Sequence, residues 1–577
     1  MSENRDRKPG SGPKNGKSGG GFERKPRNGA AGGKGSSTYG RNPQRSGTGT
    51  KFSKKPSDRP FTGESGSEAR SSFRGERPAQ ARSGGSSRPG DVRKSGNGRP
   101  QFRGKQFERG NDRRNFPGNR TERGIRPQRP PEDGLKPRRV ALTVIREVTE
   151  RGAWASLILN RELVSAGLSP LDRRLAARLA YDTLDRLMYL DAALSQVMAR
   201  EDTDIRLRNI LRLGACQLLL EDRIPDMAAT DTSVQLCQEL GMEGLKGVCN
   251  GILRNLIRKK DELVFPDPVA EPEKSLSVVY SMPEFLVGKF VQAYGLDETA
   301  QIVAASGRNT SVTLRRNALR MTPEQFEALL SRKVWTWEKG ALPDAWKVKD
   351  MANPGEDADF LSGNFSIQSL QSQMACLALA PRRGWTVLDA CAAPGGKSCY
   401  LSELMGGTGR VQAWDKYEHR VALIEAQVKR LGLDNVRPMV RDAGVFREDL
   451  EQNMDAVLLD APCSGTGEMH EKPDSRYRLT PERLEELRGT QAAILSTVCR
   501  YVKKGGVLVY ATCSILPEEN EEQVRAFLEA HPEFEAEAWE AQVPEAWHGK
   551  TGLGVQLVQG LGAEGGFYIC RMRRKRV

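Results

Sequence analysis

From about residue 365 to the C-terminus, short apolar runs alternate with helical stretches, and this alternation restricts the fold more than any other feature. The predicted strands are WTVLDA (385–390), VQAWD (411–415), VRPMVRD (436–442), DAVLLDA (455–461) and VLVYATC (507–513). Strands that alternate with helices predict an α/β fold with a doubly wound, mostly parallel sheet. Because ligands of such sheets bind beyond the carboxyl ends of the strands, those ends are the predicted site.

The turn after the first predicted strand is CAAPGGK, residues 391–397. Its small residues let backbone N–H groups approach a ligand, and Gly395 and Gly396 open a helix, so the turn resembles an anion-binding cradle. Its spacing matches neither the dinucleotide-binding fingerprint nor the P-loop. A tight connection between a strand and a helix explains the turn about as well, so it does not identify a ligand alone.

Two carboxylates close the next two predicted strands. Asp415 is placed to accept hydrogen bonds from both ribose hydroxyls of a nucleoside, and Asp442 from an adenine amino group. Either carboxylate alone is as well explained as a helix cap. Three successive strand ends that each supply what an adenine nucleoside needs favour a nucleoside cofactor.

The fourth and fifth predicted strands end in DAPCSGTG (460–467) and in the cysteine of LVYATCSILPEEN (508–520). If the strand order is 3-2-1-4-5, Cys463 and Cys513 lie at neighbouring strand ends, with Asp460 beside them. Most isolated buried cysteines are inert, so Cys513 by itself is more simply a core residue. A second cysteine at the adjacent strand end favours a reactive pair instead.

A thiolate near a carboxylate suits covalent catalysis on a pyrimidine ring. Addition of the thiolate to C6 turns the weakly nucleophilic C5 into an enamine-like carbon that accepts a methyl group. Asp460 is placed to hold the base edge, and the second cysteine to assist elimination. A helix that opens near Pro517 would favour the Cys513 thiolate, although Glu518 and Glu519 oppose that effect. The base must be single-stranded or flipped out of a duplex to react.

The first quarter of the chain has a different composition. Residues 1–136 contain 33 Lys and Arg against 13 Asp and Glu, whereas the remaining residues contain 56 against 61, so the net charge of +15 comes from this segment. Abundant Gly, Ser and Pro with few aliphatic residues predict a disordered tail. Its Arg-Gly pairs and phenylalanines suit single-stranded RNA, and a purely solubilising tail explains them equally well.

Two further domains are predicted between the tail and the α/β region of 365–577. Helical periodicity over 137–262 predicts an all-α domain, in which Arg212, Arg254 and Arg258 are candidates to face RNA, although isolated arginines on solvated helix faces are the more common case. Residues 275–360 are predicted to form a small α+β module, with Thr322 and Gln325 as the capping pair of a helix.

Composition also predicts where the chain works. No apolar run approaches the length of a membrane span and the N-terminus lacks a signal-peptide core, so a cytoplasmic protein with reduced cysteines is expected. Its four histidines lie far apart and no C-x-x-C pair occurs, so no metal site is expected. The chain is expected to act as a monomer.

Five motifs in this order resemble those of the RsmB/NOP/Sun family of RNA cytosine-C5 methyltransferases. They are CAAPGGK, the strand-end Asp415, RDA with Asp442, DAPCSGTG and YATCSILPEEN, followed by a closing GGFYICRMRR strand. The region 137–262 is similar to the NusB-like domain of the family's RsmB branch, and 275–360 to its RNA-binding region. In FSIQSLQSQ the family usually has aspartate at the position of Ser369, which puts one contact near the site in doubt.

The resemblance implies a Rossmann-like methyltransferase domain that uses S-adenosylmethionine to methylate C5 of a cytosine in RNA, namely cytosine 967 of 16S rRNA. It implies that Cys513 is the nucleophile, that Cys463 aids product release and that Asp460 acts with them. The implied cofactor-binding residues are Cys391, Ala392, Ala393, Pro394, Gly395, Gly396, Lys397, Asp415, Asp442 and Asp460.

Three alternatives remain open on the sequence alone. In the first alternative, the chain is an RNA-binding ribosome-assembly factor with a vestigial methyltransferase fold, although it keeps both cysteines and every strand-end aspartate. It is a methyltransferase of small molecules or proteins, which leaves the paired cysteines and the basic tail unexplained. In the third, Cys463 and Cys513 exchange roles.

Overall fold

A computed structural model describes residues 134–200, 202–305, 311–351, 353–539 and 552–576. The tail predicted over 1–136 lies outside the described residues as far as residue 133. Within the described ranges, no helix has both the length and the apolar character needed to cross a membrane.

Seven helices form the first part of the described chain. They are α1 (Leu135–Arg151), α2 (Ala155–Ser165), α3 (Pro170–Asp185), α4 (Leu187–Ser195), α5 (Ile205–Leu219), α6 (Asp226–Glu239) and α7 (Lys246–Lys259). One apolar core joins them, with Ile145, Leu179 and Ile210 fully buried. Arg212 does not face outward as expected, because it is buried and donates to Asp191 at 2.6 Å.

Three more helices, α8 (Pro272–Tyr280), α9 (Glu284–Tyr294) and α10 (Leu296–Ala304), lead away from this core. Their apolar faces pack on the C-terminal part of the chain, where Phe290 and Ile302 share a buried cluster with Met469 and Leu516. The Tyr294 hydroxyl donates to the backbone carbonyl of Ile515, two residues after Cys513. These helices therefore support the predicted site from behind.

A four-stranded antiparallel sheet follows, in the order β2-β3-β1-β4. Its elements are β1 (Val312–Arg316), α11 (Pro323–Leu330), β2 (Thr336–Lys339), β3 (Ala345–Lys349), α12 (Ala358–Leu361) and β4 (Phe365–Ile367). Thr322 and Gln325 form the predicted capping box at the start of α11, which confirms that expectation. Phe326 and Trp346 meet edge to face in the core of this module.

The remaining chain builds an eight-stranded sheet with helices on its faces. Its helices are α13 (Leu370–Leu379), α14 (Gly396–Leu404), α15 (Glu418–Leu431), α16 (Pro481–Val498) and α17 (Glu521–Ala530). Its strands are β5 (Thr386–Asp389), β6 (Arg410–Asp415), β7 (Val436–Val440), β8 (Met454–Asp460), β9 (Val502–Thr512), β10 (Phe534–Ala536), β11 (Val555–Leu557) and β12 (Phe567–Arg574).

The strand order is β10-β12-β9-β8-β5-β6-β7, with β11 paired to β12. The first five strands of the sheet in chain order, β5 to β9, therefore follow the predicted order 3-2-1-4-5 and run parallel. β12 and β10 extend the sheet antiparallel beyond β9. β9 begins at Val502, earlier than the predicted residue 507, and the carboxyl ends of β5, β6 and β8 present Asp389, Asp415 and Asp460.

The loop after β8 contacts the helical domain. Arg476, whose side chain is fully buried, donates to Asp185 of α3 at 3.0 Å and to the Tyr280 carbonyl at 3.1 Å. The Asp474 carboxylate accepts from the backbone N–H of Ala155 at 3.1 Å. The segment that follows Cys463 is therefore held by α2, α3 and α8 as well as by its own sheet.

Candidate active site

The CAAPGGK turn lies between β5 and α14, as predicted. Ala392 donates its N–H to the Trp414 carbonyl at 2.7 Å, which fixes the turn to the neighbouring strand. Gly395 has a φ of 103°, a conformation that L side chains rarely adopt, and a Cβ there would lie 3.1 Å from Ile424 Cα. The glycine thus lets the backbone turn into α14 close to the strand ends.

The two carboxylates predicted to bind a cofactor lie at the end of β6 and just after β7. Asp415 is 3% exposed, accepts from the Tyr417 N–H at 3.1 Å and lies 3.2 Å from Arg420. Asp442 accepts from Lys416 at 2.9 Å and from the Gly444 N–H at 2.9 Å, and these bonds lower the pKa of its carboxyl group. Both are ordered acceptors at one edge of the sheet.

Asp389 lies at the end of β5 and was not among the predicted site residues. Its Oδ2 accepts from the Ser398 hydroxyl at 2.6 Å, while its Oδ1 is buried without a hydrogen-bond partner. Burial raises the pKa of Asp389 to about 7. The Asp389 carboxyl therefore titrates near neutral pH, next to the CAAPGGK turn.

This pKa predicts how stability depends on pH. A carboxyl whose folded pKa exceeds its ordinary value of 3.8 stabilises the fold fully below pH 3.8, and loses that contribution as the pH rises through about 7. At pH 8 the free energy of unfolding of Asp389→Asn should therefore exceed that of the parent by at most about 4 kcal/mol. Near pH 4 the two free energies should match. Denaturant melts from pH 4 to 8 measure this difference, with the exposed Asp434→Asn as the matched control.

The two predicted thiols meet at adjacent strand ends. The Sγ atoms of Cys463 and Cys513 lie 3.2 Å apart, although the residues are 50 positions apart in sequence. Both side chains are partly buried, whereas most of the other cysteines in the described ranges are fully buried. The Cys463 thiol and burial together raise the pKa of Cys513 well above its ordinary value. In the resting structure Cys513 is therefore a neutral thiol.

The expected helix-dipole effect on Cys513 is not what the structure shows. A short 3-10 turn spans Pro517–Glu519, and the α-helix begins only at Glu521. Glu518 pairs with Lys289 of α9 at 2.5 Å. Glu519 is buried and accepts from the Ser464 N–H at 2.9 Å. The two glutamates thus hold neighbouring elements, and the Cys513 pKa is set by its near neighbours.

An ion pair connects the CAAPGGK turn to the end of β8. Lys397 donates to Asp460 Oδ2 at 2.6 Å, and its ammonium lies 5.6 Å from the centre of the Phe567 ring. Burial lowers the pKa of Lys397, but the Asp460 charge outweighs it and the net pKa is raised. Lys397, predicted as a cofactor residue, therefore also fixes the Asp460 carboxylate on the side of the thiols.

A buried arginine on β1, the first strand of the small module, bonds to the CAAPGGK turn. Arg315 of β1 donates to the Gly396 carbonyl at 3.0 Å and pairs with Glu403 at 2.7 Å, and both charged side chains are almost fully buried. Ser369, where the family usually has aspartate, caps α13 by accepting from the Ser372 N–H at 3.3 Å. The hydroxyl thus keeps a helix-capping role at this position.

A cleft of about 680 Å³ opens between the helical domain, the small module and the large sheet. Tyr181, Thr313, His470 and Phe567 are among its lining residues. The backbone N–H of Gly467, also in the lining, donates to the Cys513 carbonyl at 2.9 Å. One lining residue of the cleft is thus hydrogen-bonded to the backbone of Cys513, and sequence periodicity gave no signal for the cleft.

In the described part of the chain, no cluster of three or more His, Cys, Asp or Glu side chains is arranged to hold a metal ion. The site consists of thiols, carboxylates, one lysine and hydroxyl groups.

The chain matches the models of two protein families. A family model described as "16S rRNA methyltransferase RsmB/F" matches residues 376–573, and the model of the NusB family matches residues 135–258.

Two named relatives are similar over most of their length. A probable ribosomal RNA small subunit methyltransferase B of Synechocystis is 31% identical over 76% of this chain and 100% of its own. A probable ribosomal RNA small subunit methyltransferase B of Bacillus subtilis is 33% identical over 76% of this chain and 98% of its own. The crystal structure of PH0851 superposes with a TM-score of 0.66 at 25% identity, covering 78% of this chain and 99% of that one.

Proposed function

Because this chain belongs to the RsmB/F family of 16S rRNA methyltransferases, with a NusB domain before its methyltransferase domain, we propose that it methylates C5 of a cytosine in RNA. The proposed target is cytosine 967 of 16S rRNA, and the proposed route is a covalent adduct between Cys513 and C6 of that base. The observation that carries this proposal is the 3.2 Å contact between two thiols beside the Lys397–Asp460 ion pair.

The thiol pair supports base chemistry better than the alternatives. A methyltransferase of small molecules or proteins has no need of two thiols in contact, and an assembly factor without catalysis has no need of a half-buried lysine that orders a carboxylate near them. C5 of cytosine is a poor nucleophile, so a covalent adduct at C6 is the chemistry that two thiols and a carboxylate provide.

In the proposed reaction, the Cys513 proton passes to N3 of the base as Sγ forms a bond to C6, which places an electron pair at C5. When bound, S-adenosylmethionine supplies the methyl group that C5 takes up. Asp460, held by Lys397, accepts a hydrogen bond from the exocyclic amine of the base and keeps the ring against the thiol. A solvent base then removes the C5 proton as the C6–Sγ bond breaks, and the departing Cys513 thiolate takes back the proton from N3 while the Cys463 thiol donates a hydrogen bond to the leaving sulfur.

The raised pKa of Cys513 determines at which point of the proposed reaction its thiol becomes reactive. A neutral thiol beside Cys463 is unreactive towards adventitious electrophiles, because the thiolate is the nucleophile. Entry of the base displaces water and brings a proton acceptor to the pair. The thiol is therefore activated where the substrate is already positioned.

The proposed cofactor residues fit an adenosyl ligand. Residues 391–397 supply a backbone cradle, Asp415 an acceptor for the ribose hydroxyls, and Asp442 an acceptor for the adenine amine. Asp460 is proposed to face both the cofactor methyl and the base. The left-handed Gly395 leaves the close approach that such a ligand needs.

Asp415→Ala tests the ribose contact. Loss of a charged acceptor of two hydroxyls should weaken S-adenosylmethionine binding by about 10- to 100-fold. Titration calorimetry of the full chain with the cofactor measures this, with the exposed Asp434→Ala as the matched control. An unchanged dissociation constant would remove Asp415 from the cofactor site.

RNA is proposed to enter through the cleft of about 680 Å³, where the lining residue Gly467 is hydrogen-bonded to the backbone of Cys513. We propose that 137–262 and 275–360, the two domains bordering the cleft, hold the rRNA on either side of the target base. The base itself must leave any duplex to reach the thiols. A single strand with one exposed cytosine is the form of substrate that this cleft admits.

The proposal is tested by mapping the product. The protein, incubated with S-adenosylmethionine and 16S rRNA that lacks modifications, should produce 5-methylcytosine at cytosine 967, identified by mass spectrometry of the nucleoside and of the RNA fragment. Methylation at another cytosine would overturn the target assignment alone. Tight RNA binding without any 5-methylcytosine would instead support the assembly-factor alternative.

A further inference from the structure

Two consecutive buried residues after Cys513 contact the chain on both sides of the thiol pair. Glu519 and Asn520 are fully buried and follow Cys513 by six and seven positions. Glu519 bonds to the segment that carries Cys463, whereas Asn520 bonds to the segment that carries Cys513. We refer to these two residues as the thiol clamp.

The Glu519 half holds the residue after Cys463. Its Oε1 accepts from the Ser464 N–H at 2.9 Å and from the Gln491 side-chain amide at 2.9 Å, and its Oε2 accepts from the Ser464 hydroxyl. The same Gln491 amide donates to the Pro462 carbonyl at 3.0 Å, on the other side of Cys463. Both neighbours of Cys463 are thus fixed through one carboxylate and one amide.

The Asn520 half holds the residues on either side of Cys513. Its amide nitrogen donates to the Ser514 carbonyl at 2.9 Å, and its oxygen accepts from the Thr512 hydroxyl. Thr512 Oγ1 in turn accepts from the Ser514 N–H at 3.3 Å. Three bonds therefore close around the backbone of Cys513.

Buried hydroxyls join the two halves. Ser514 Oγ lies 3.0 Å from Thr466 Oγ1 and 3.2 Å from Ser464 Oγ, and Thr466 Oγ1 accepts from the Ile515 N–H at 3.0 Å. A fully buried carboxylate that is met by neutral donors is costly to desolvate. A network of satisfied hydrogen bonds makes the surrounding backbone rigid, and here that backbone carries the two thiols.

We propose that Glu519 and Asn520 are positioning residues that set the separation of the two thiols, each acting on one step of the reaction. This inference rests on the proposed function of Cys463 and Cys513. Glu519 positions Cys463 for release of the methylated base, and Asn520 positions Cys513 for attack on C6. Neither side chain touches the substrate, and both act through the backbone next to a thiol.

The two halves predict opposite effects on the covalent RNA adduct. Glu519→Ala should slow turnover by about 10- to 100-fold while the adduct accumulates, because Cys463 is displaced. Asn520→Ala should lower adduct and product together by a similar factor, because attack itself is impaired. Denaturing gels of the full chain with labelled 16S rRNA and S-adenosylmethionine measure both, and the exposed Glu522→Ala is the matched control.

A purely structural role would affect both variants alike. If both variants show the parent's ratio of adduct to product once the folded fraction is matched, the inference is wrong. Glu519→Gln keeps an oxygen for the Ser464 N–H and offers an amide to its hydroxyl, so it should restore release towards the parent level. S-adenosylmethionine affinity should stay unchanged in all variants, which confirms that they are folded.

A second readout does not depend on methyl transfer. Alkylation by iodoacetamide, mapped by mass spectrometry in the absence of RNA, should increase at Cys463 in Glu519→Ala and at Cys513 in Asn520→Ala. Equal changes at both cysteines in both variants would overturn the clamp. If the parent makes no 5-methylcytosine, the proposed function fails while this alkylation pattern still decides the positioning roles.

Discussion

Cys513→Ala is expected to reduce methyl transfer to 16S rRNA by about three orders of magnitude or more, because the adduct at C6 cannot form without the thiol. The measurement is incorporation of labelled methyl from S-adenosylmethionine into unmodified rRNA under single-turnover conditions. No protein–RNA adduct should survive denaturation in this variant. Binding of the cofactor should stay within the parent range, since Asp415 and residues 391–397 are untouched.

The matched control for Cys513 is Cys499→Ala. Cys499 is a buried cysteine at the end of α16 whose Sγ lies 3.3 Å from the Ser496 carbonyl and 4.0 Å from His531 Nδ1. Its replacement removes a thiol of the same size and should leave methyl transfer near the parent level. Full activity of Cys513→Ala would show that the nucleophile has been assigned to the wrong residue.

Cys463→Ala is expected to trap the enzyme on its RNA. Attack by Cys513 does not require the second thiol, whereas elimination does under the proposed assignment, so adduct should accumulate to about one equivalent while turnover falls by about 100-fold or more. Gel electrophoresis under denaturing conditions, with labelled RNA, separates the adduct from free RNA. Nuclease digestion and mass spectrometry should locate the crosslink at Cys513.

The same experiment distinguishes an exchange of roles between the thiols. If Cys463 were the nucleophile, Cys513→Ala would accumulate the adduct and Cys463→Ala would form none. If neither variant forms an adduct although the parent makes 5-methylcytosine, the reaction does not pass through a stable thiol adduct. The double variant should form no adduct under either assignment.

The large sheet was predictable because its signals are local. Each apolar run carries its own periodicity, and the turn, Asp415 and Asp460 follow their strands directly in sequence, so the strand order brings them to one edge. The contact between Cys463 and Cys513 followed from that order alone. β9 began earlier than predicted because Val502 pairs with Met454 of β8, whereas the lysines and glycines of 503–506 fall in an irregularity before pairing resumes at Val507.

The parts that could not be predicted depend on contacts between distant segments. Nothing near Glu519 in sequence indicates that its carboxylate is buried against Ser464, 55 positions away. The dipole argument for Cys513 failed for the same reason, since the neighbouring thiol and burial dominate its pKa. Arg212 looked like a surface cation because its partner, Asp191, belongs to another helix.

The contacts of Arg476 with α3 and with the Tyr280 carbonyl limit how such proteins can be recombined. The loop that leaves Cys463 is completed by side chains and carbonyls that the helical domain contributes. A helical domain taken from a relative would meet a foreign loop, and the buried guanidinium would lose its acceptor Asp185. Chimeras should therefore exchange residues 461–480 together with the helical domain, which makes that loop part of the inherited unit although it belongs to the catalytic sheet in sequence.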